Sequence, residues 1–135
     1  GEAWSYGYMQ EAFTHLLAGA TLIACSRDRF WHRGDTIALD CGPFVAGLEY
    51  ASAREALVAG KPNPAFFAGA LAGLGLPAGA PAAMIGDDLW SDVAGAQRAG
   101  LQGWLVETGK FRAGMLAESG IVPDRLLSSI ADLTQ

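Results

Sequence analysis

Apolar positions along this chain switch repeatedly between helical spacing and short unbroken runs. After Ser5, the residues Met9, Ala12, Phe13, Leu16 and Leu17 fall on one helical face, and Gly19 stops the helix. Ala20 to Cys25 is a short apolar run, read as a strand. Ser26 to Asp35 is polar and aromatic, an Arg-rich turn ending in Gly34-Asp35, and Thr36 to Leu39 reads as a second short strand. Gly42-Pro43 opens a helix through Phe44, Val45, Leu48 and Ala51. Ala56 to Ala59 is a brief strand before Gly60-Lys61-Pro62. Asn63 is an N-cap with Pro64 at the first helical position. The buried stripe of that helix is predicted to be Phe66, Phe67, Ala70, Leu71 and Leu74, and Gly75 and Pro77 end it.

The run Ala82-Ala83-Met84-Ile85 predicts a buried strand, turned at Gly86 into a helix that ends at Gly100. Gly103 to Val106 is the next strand and Thr108 to Phe111 a loop. A short helix near Met115-Leu116, a strand at Arg125 to Leu127 and a helical turn from Ser129 to Leu133 complete the chain. Strands alternating with helices predict an α/β fold, a parallel sheet with crossover helices.

Composition narrows the function classes. Of 135 residues, 51% are hydrophobic and 17% charged, which is globular rather than disordered. A net charge of −5 argues against nucleic acid or an anionic membrane as the main partner. No apolar run approaches the ~20 residues that span a bilayer, and no secretory leader pattern opens the chain. Cys25 and Cys41 lack metal-site spacing, so both are expected to be reduced, buried residues of a cytoplasmic protein.

The candidate chemistry lies in Gly86-Asp87-Asp88-Leu89-Trp90-Ser91-Asp92. A parallel strand ending in acidic residues places hard oxygens at the carboxyl edge of a sheet, where α/β folds bind ligands and where Mg²⁺ is suited. From these residues alone, Asp88 as a helix N-cap and Asp92 as a solvated charge is the competing account. Lys61, after a strand and a glycine and pinned by Pro62, is placed to aim a point charge at phosphate, or else is an exposed lysine. It is not part of a nucleotide P-loop, because Glu55 and Pro62 occupy positions that motif needs otherwise. Gly73-Leu74-Gly75 closes a helix, whereas a dinucleotide fingerprint opens one.

In order, Gly60-Lys61-Pro62-Asn63-Pro64, Met84-Ile85-Gly86-Asp87-Asp88 with Asp92, Gly95-Ala96-Gln97, Ala99-Gly100 and Val106 to Arg112 resemble the C-terminal half of haloacid dehalogenase (HAD) superfamily phosphatases, in the branch with a large α/β cap. Arg29-Phe30-Trp31, Leu39-Asp40, Gly42-Pro43-Phe44 and Leu48 to Ala51 look like the end of that cap. The resemblance implies a partial Rossmann-like core over 58–135, after the end of a cap domain over 1–57. It implies Lys61 as the catalytic, phosphate-binding lysine and Asp87 as the Mg²⁺ ligand. Asp88 and Asp92 would hold Asp87, Lys61 or metal-bound water in place. The substrate would be a small phosphorylated molecule, hydrolysed through an aspartyl-phosphate.

The resemblance also implies an Asp-x-Asp on a first strand, and no Asp here has another two positions on, so the nucleophile is absent. Thr21 to Ser26 imitates the family's Ser/Thr strand, but the residues after Ser26 match the cap. The chain is therefore expected to be a fragment without turnover, with an open sheet edge prone to association. The alternative is a non-catalytic module that binds metal and phosphate or associates with itself. A phospho-acceptor receiver domain is disfavoured because its acidic pair would precede its lysine. Trp31, His32 and Arg33 fall in what resembles a cap hairpin, facing either substrate or solvent. Trp90 is expected in packing and His15 on a solvated face. A homodimer through the cap is compatible with such relatives.

Overall fold

A computed structural model describes residues 4–134. The chain divides into two compact units, one reaching Gly60 and the other starting at Lys61.

In the first unit, α1 (Tyr6–Leu17) starts at Ser5, whose side chain accepts the backbone N–H of Tyr8. It packs on α2 (Gly42–Ser52), and Leu16, Val45 and Leu48 are buried. Trp4 stacks on Phe44, with ring centroids 4.8 Å apart. Two short sheets complete the unit. β1 (Ile23–Ala24) pairs in parallel with β4 (Leu57–Val58). β2 (Phe30–Arg33) and β3 (Thr36–Leu39) form an antiparallel hairpin, with Phe30 opposite Leu39 and His32 opposite Ile37. The stretch expected to be wholly turn thus contains a strand, because the aromatic residues at 30–32 find a partner in β3. Cys25 is exposed rather than buried: β1 ends at Ala24, and Cys25 lies past its last pair with β4. Cys41 is half-buried, and both thiols are free.

The second unit is built on a three-stranded parallel sheet ordered β5 (Ala83–Gly86), β6 (Gln102–Val106), β7 (Arg125–Leu127). The helix α3 (Pro64–Gly73) precedes it, with Asn63 Oδ1 accepting the Ala65 N–H at 2.9 Å. Only Phe67 and Leu71, one turn apart, are buried on α3. Phe66, Ala70 and Leu74, also expected in the stripe, are exposed. The helix is apolar all round, so composition did not separate the face that packs from the one that does not. Between β5 and β6 the chain winds first as a π-helix, Leu89–Ala94, and then as α4 (Gly95–Arg98). Leu89, Val93 and Leu105 form the centre of the core, with Phe111, Met115, Leu116 and Ile121 against it. α5 (Met115–Ser119) and a closing 3₁₀ turn, Ile130–Thr134, follow. No described helix is long and apolar enough to cross a membrane.

Candidate active site

All the residues that carry the candidate chemistry belong to the second unit. β5 and β6 run parallel, so the segments leaving their carboxyl ends are neighbours. The acidic segment leaves β5, and the loop with Gly109 and Lys110 leaves β6.

Asp92 is buried on the π-helix and both its oxygens are engaged. Its Oδ1 accepts Lys61 Nζ at 2.6 Å, and its Oδ2 accepts the Asp88 N–H at 3.2 Å. A Cβ at position 86 would strike Asp92 Oδ2, so the strand can turn here only as glycine. Asp88 is consumed as well. Its Oδ1 accepts the N–H groups of Trp90 and Ser91, at 3.1 and 2.9 Å, and its Oδ2 takes Lys110 Nζ at 2.8 Å. Burial opposes ionisation of Asp88, but Lys110 and the two amides outweigh it and hold the carboxyl below its ordinary 3.8. Asp88 is therefore an N-cap and an ion-pair partner at once.

Asp87 is differently placed. Its Oδ2 accepts the backbone N–H of Lys110 at 2.7 Å, while Oδ1 accepts from none of the described residues. Gly109, at φ +54°, lets the loop come this close, since a Cβ there would strike Asp87 Oδ2. Of the three carboxylates, Asp87 alone keeps an oxygen for a ligand. That single hard oxygen fits Mg²⁺, which binds through one or two carboxylates and retains several waters. Among the described residues no group of three or more His, Cys, Asp or Glu side chains gathers to hold a metal.

The structure thus brings Lys61, Asp87, Asp88 and Asp92 together. It adds Lys110, which the sequence reading left without a role; it lies four residues past β6, where the approach of the loop and not the strand spacing brings it to the acids. Ser26 belongs to the first unit, where its Oγ lies 3.2 Å from Cys41 Sγ. Trp90, expected in core or surface packing, is half exposed and so lies outside the core, because on the π-helix Leu89 and Ser91 to Ala94 take the buried positions.

A glycine turn, a lysine–aspartate pair and an aspartate with one open oxygen thus lie together at the carboxyl edge of a parallel sheet. A family profile described as HAD-hydrolase-like matches residues 58–133, and the chain belongs to that family. It is 49% identical over 112 residues to haloacid dehalogenase-like hydrolase domain-containing protein 2 of Bos taurus, covering 83% of this chain and 43% of that protein. It is 45% identical over 114 residues to the phospholysine phosphohistidine inorganic pyrophosphate phosphatase of Homo sapiens, covering 83% of this chain and 42% of that protein. Among solved structures, a glycerol phosphate phosphatase of Mycobacterium tuberculosis in complex with magnesium superposes with a TM-score of 0.84 at 29% identity, over 98% of this chain and 40% of that one. The same phosphatase has been solved in complex with calcium. The chain therefore spans less than half the length of the curated relatives it matches.

Proposed function

We propose that this chain supplies the lysine-and-metal half of a phosphatase active site. Residues 1–57 would belong to the end of a cap and 58–135 to the hydrolase core. The observation that carries the reading is the Lys61–Asp92 pair at 2.6 Å, in the same cluster as an Asp87 with one open oxygen. Phosphoryl transfer asks a protein mainly for positioning and for positive charge facing the phosphate oxygens. An ammonium has three donors. Asp92 fixes one of them and orients the head of Lys61, whose side chain keeps 36% exposure, so the other donors can meet a phosphoryl oxygen. Asp87 Oδ1 would hold a divalent cation, which adds charge facing the same group. Asp88 and Asp92 ligate nothing themselves; they hold the turn and the lysine. The relatives named as phosphatases support the reaction class, and the magnesium-bound neighbour supports the cation.

The nucleophile is proposed to be a carboxylate of an Asp-x-Asp strand outside these 135 residues, attacking a small phosphorylated molecule. Expressed alone, the chain should release no phosphate from p-nitrophenyl phosphate or a panel of small phosphate esters. Expressed with an upstream segment carrying Asp-x-Asp, it should show Mg²⁺-dependent release, and Lys61→Ala and Asp87→Asn should each lower kcat by roughly 10²–10³. Absence of Mg²⁺-dependent release across the panel from the joined protein would overturn the reading.

A second reading draws on the outer edge of β5, which pairs with β6 on one side and with no other described strand. Such an edge could serve a non-catalytic module that associates with itself. A native start codon at this point in the gene would favour the module over the enzyme.

A further inference from the structure

Lys110 touches both acids that follow β5, in two different ways. Its backbone N–H takes Oδ2 of Asp87, and its ammonium takes Oδ2 of Asp88. The first contact is permitted only by the glycine before it. The second removes the last oxygen of Asp88 that the turn amides leave over, since Oδ1 is already shared by Trp90 and Ser91. Without the ammonium, Asp88 Oδ2 would be a second charged carboxylate oxygen on the residue next to Asp87, and the two neighbours together would carry two negative charges at the sheet edge. That is the kind of site a large, flexible cation prefers: Ca²⁺ takes six to eight oxygens, whereas Mg²⁺ keeps its waters and accepts one or two carboxylates.

We propose that Lys110 is a cation-selectivity residue: it withholds Asp88 from the metal and leaves Asp87 Oδ1 as the single carboxylate oxygen on offer, which suits Mg²⁺ and penalises Ca²⁺. The inference rests on the reading that Asp87 takes the cation. Nothing in it requires turnover, so it is tested by binding alone. Arg at 110 keeps both the N–H and a positive charge for Asp88, while Met keeps the N–H and deletes the charge.

The test is a titration of the full chain with Tb³⁺, a luminescent stand-in for Ca²⁺ excited through tryptophan, with Trp90 two residues from Asp88. Competition with Ca²⁺ and with Mg²⁺ gives the two affinities. K110M should bind Tb³⁺ and Ca²⁺ about tenfold tighter than the parent, because the carboxylate of Asp88 beside the site is then no longer neutralised. Mg²⁺ affinity should rise much less, and K110R should behave as the parent. K110Q offers the same comparison if K110M folds poorly. Adding D88N to K110M should erase the gain. Equal Ca²⁺ affinity in K110M and the parent, or a gain that survives D88N, would overturn the proposal. A joined protein without Mg²⁺-dependent phosphatase activity, but with this Ca²⁺ gain intact, would instead count against the proposed function and leave the selectivity role standing.

Discussion

Asp124 shows how a residue with no part in the chemistry supports the site. Its Oδ2 accepts the Gly103 N–H at 2.8 Å and Gln97 Nε2 at 3.1 Å, tying the helix after the acidic turn to the start of β6. The Gly103 amide first, and Gln97 second, favour the carboxylate, so its pKa lies below the ordinary 3.8. A depressed folded-state value means the contribution to stability is complete above 3.8 and is lost as pH falls through the lower folded value. Asp124→Asn keeps an acceptor but no charge. It should lower the urea midpoint at pH 7, and the two proteins should converge below pH 3.8; an unchanged gap at both pH values would contradict this. At this scale the residues alone left Lys61 and Asp92 open between a site and a solvated surface; it was the family resemblance that pointed to Lys61, Asp87 and Asp92 as one cluster, and the structure brings them together. Lys110 was not legible, because its two contacts depend on how closely a loop approaches, and Gly109 sets that approach through its backbone rather than through any pattern of side chains.

At the scale of elements, caps were the readable part. Ser5 and Asn63 mark α1 and α3 because their side-chain oxygens replace partners that the first turn lacks. The buried face of α3 was not readable, since Pro-Ala-Phe-Phe-Ala-Gly-Ala-Leu-Ala-Gly offers no polar side to turn outward. Neighbouring phenylalanines make the test direct. Phe67 is 2% exposed and Phe66 38%. Phe67→Ala should cost about 3–5 kcal/mol in urea unfolding and Phe66→Ala under about 1 kcal/mol. Equal losses would mean that α3 is seated on a different face. The π-helix was hidden for another reason: its hydrogen-bond register leaves no trace in apolar spacing over only six residues.

At the scale of the whole molecule, the α/β class followed from alternation, and the three parallel strands of the second unit realise it. Large apolar side chains nonetheless remain exposed in both units, among them Ile23, Ile37, Leu39 and Leu57 in the first and Leu74 and Val122 in the second. Surfaces of that kind favour association. Sedimentation of the chain at rising concentration should show an apparent mass above the 14.1 kDa monomer. Joining it to the segment proposed to carry Asp-x-Asp should restore a concentration-independent mass. A monomer at every concentration, with one cooperative melt, would contradict both expectations.

The six residues that wind between Asp88 and Gly95 have a consequence for how such chains can vary. A π-turn holds one residue more than the α-helical path it replaces. Removing Trp90 would let the backbone close as an ordinary α-helix, with little conformational penalty. Yet each residue of an α-helix advances about 100° around its axis, so Asp92 would be carried away from Lys61 by that angle. The count of residues between the two acids is thus a setting of phase. A sequence one residue shorter here must either recruit its lysine's partner from another position or leave that lysine unaimed.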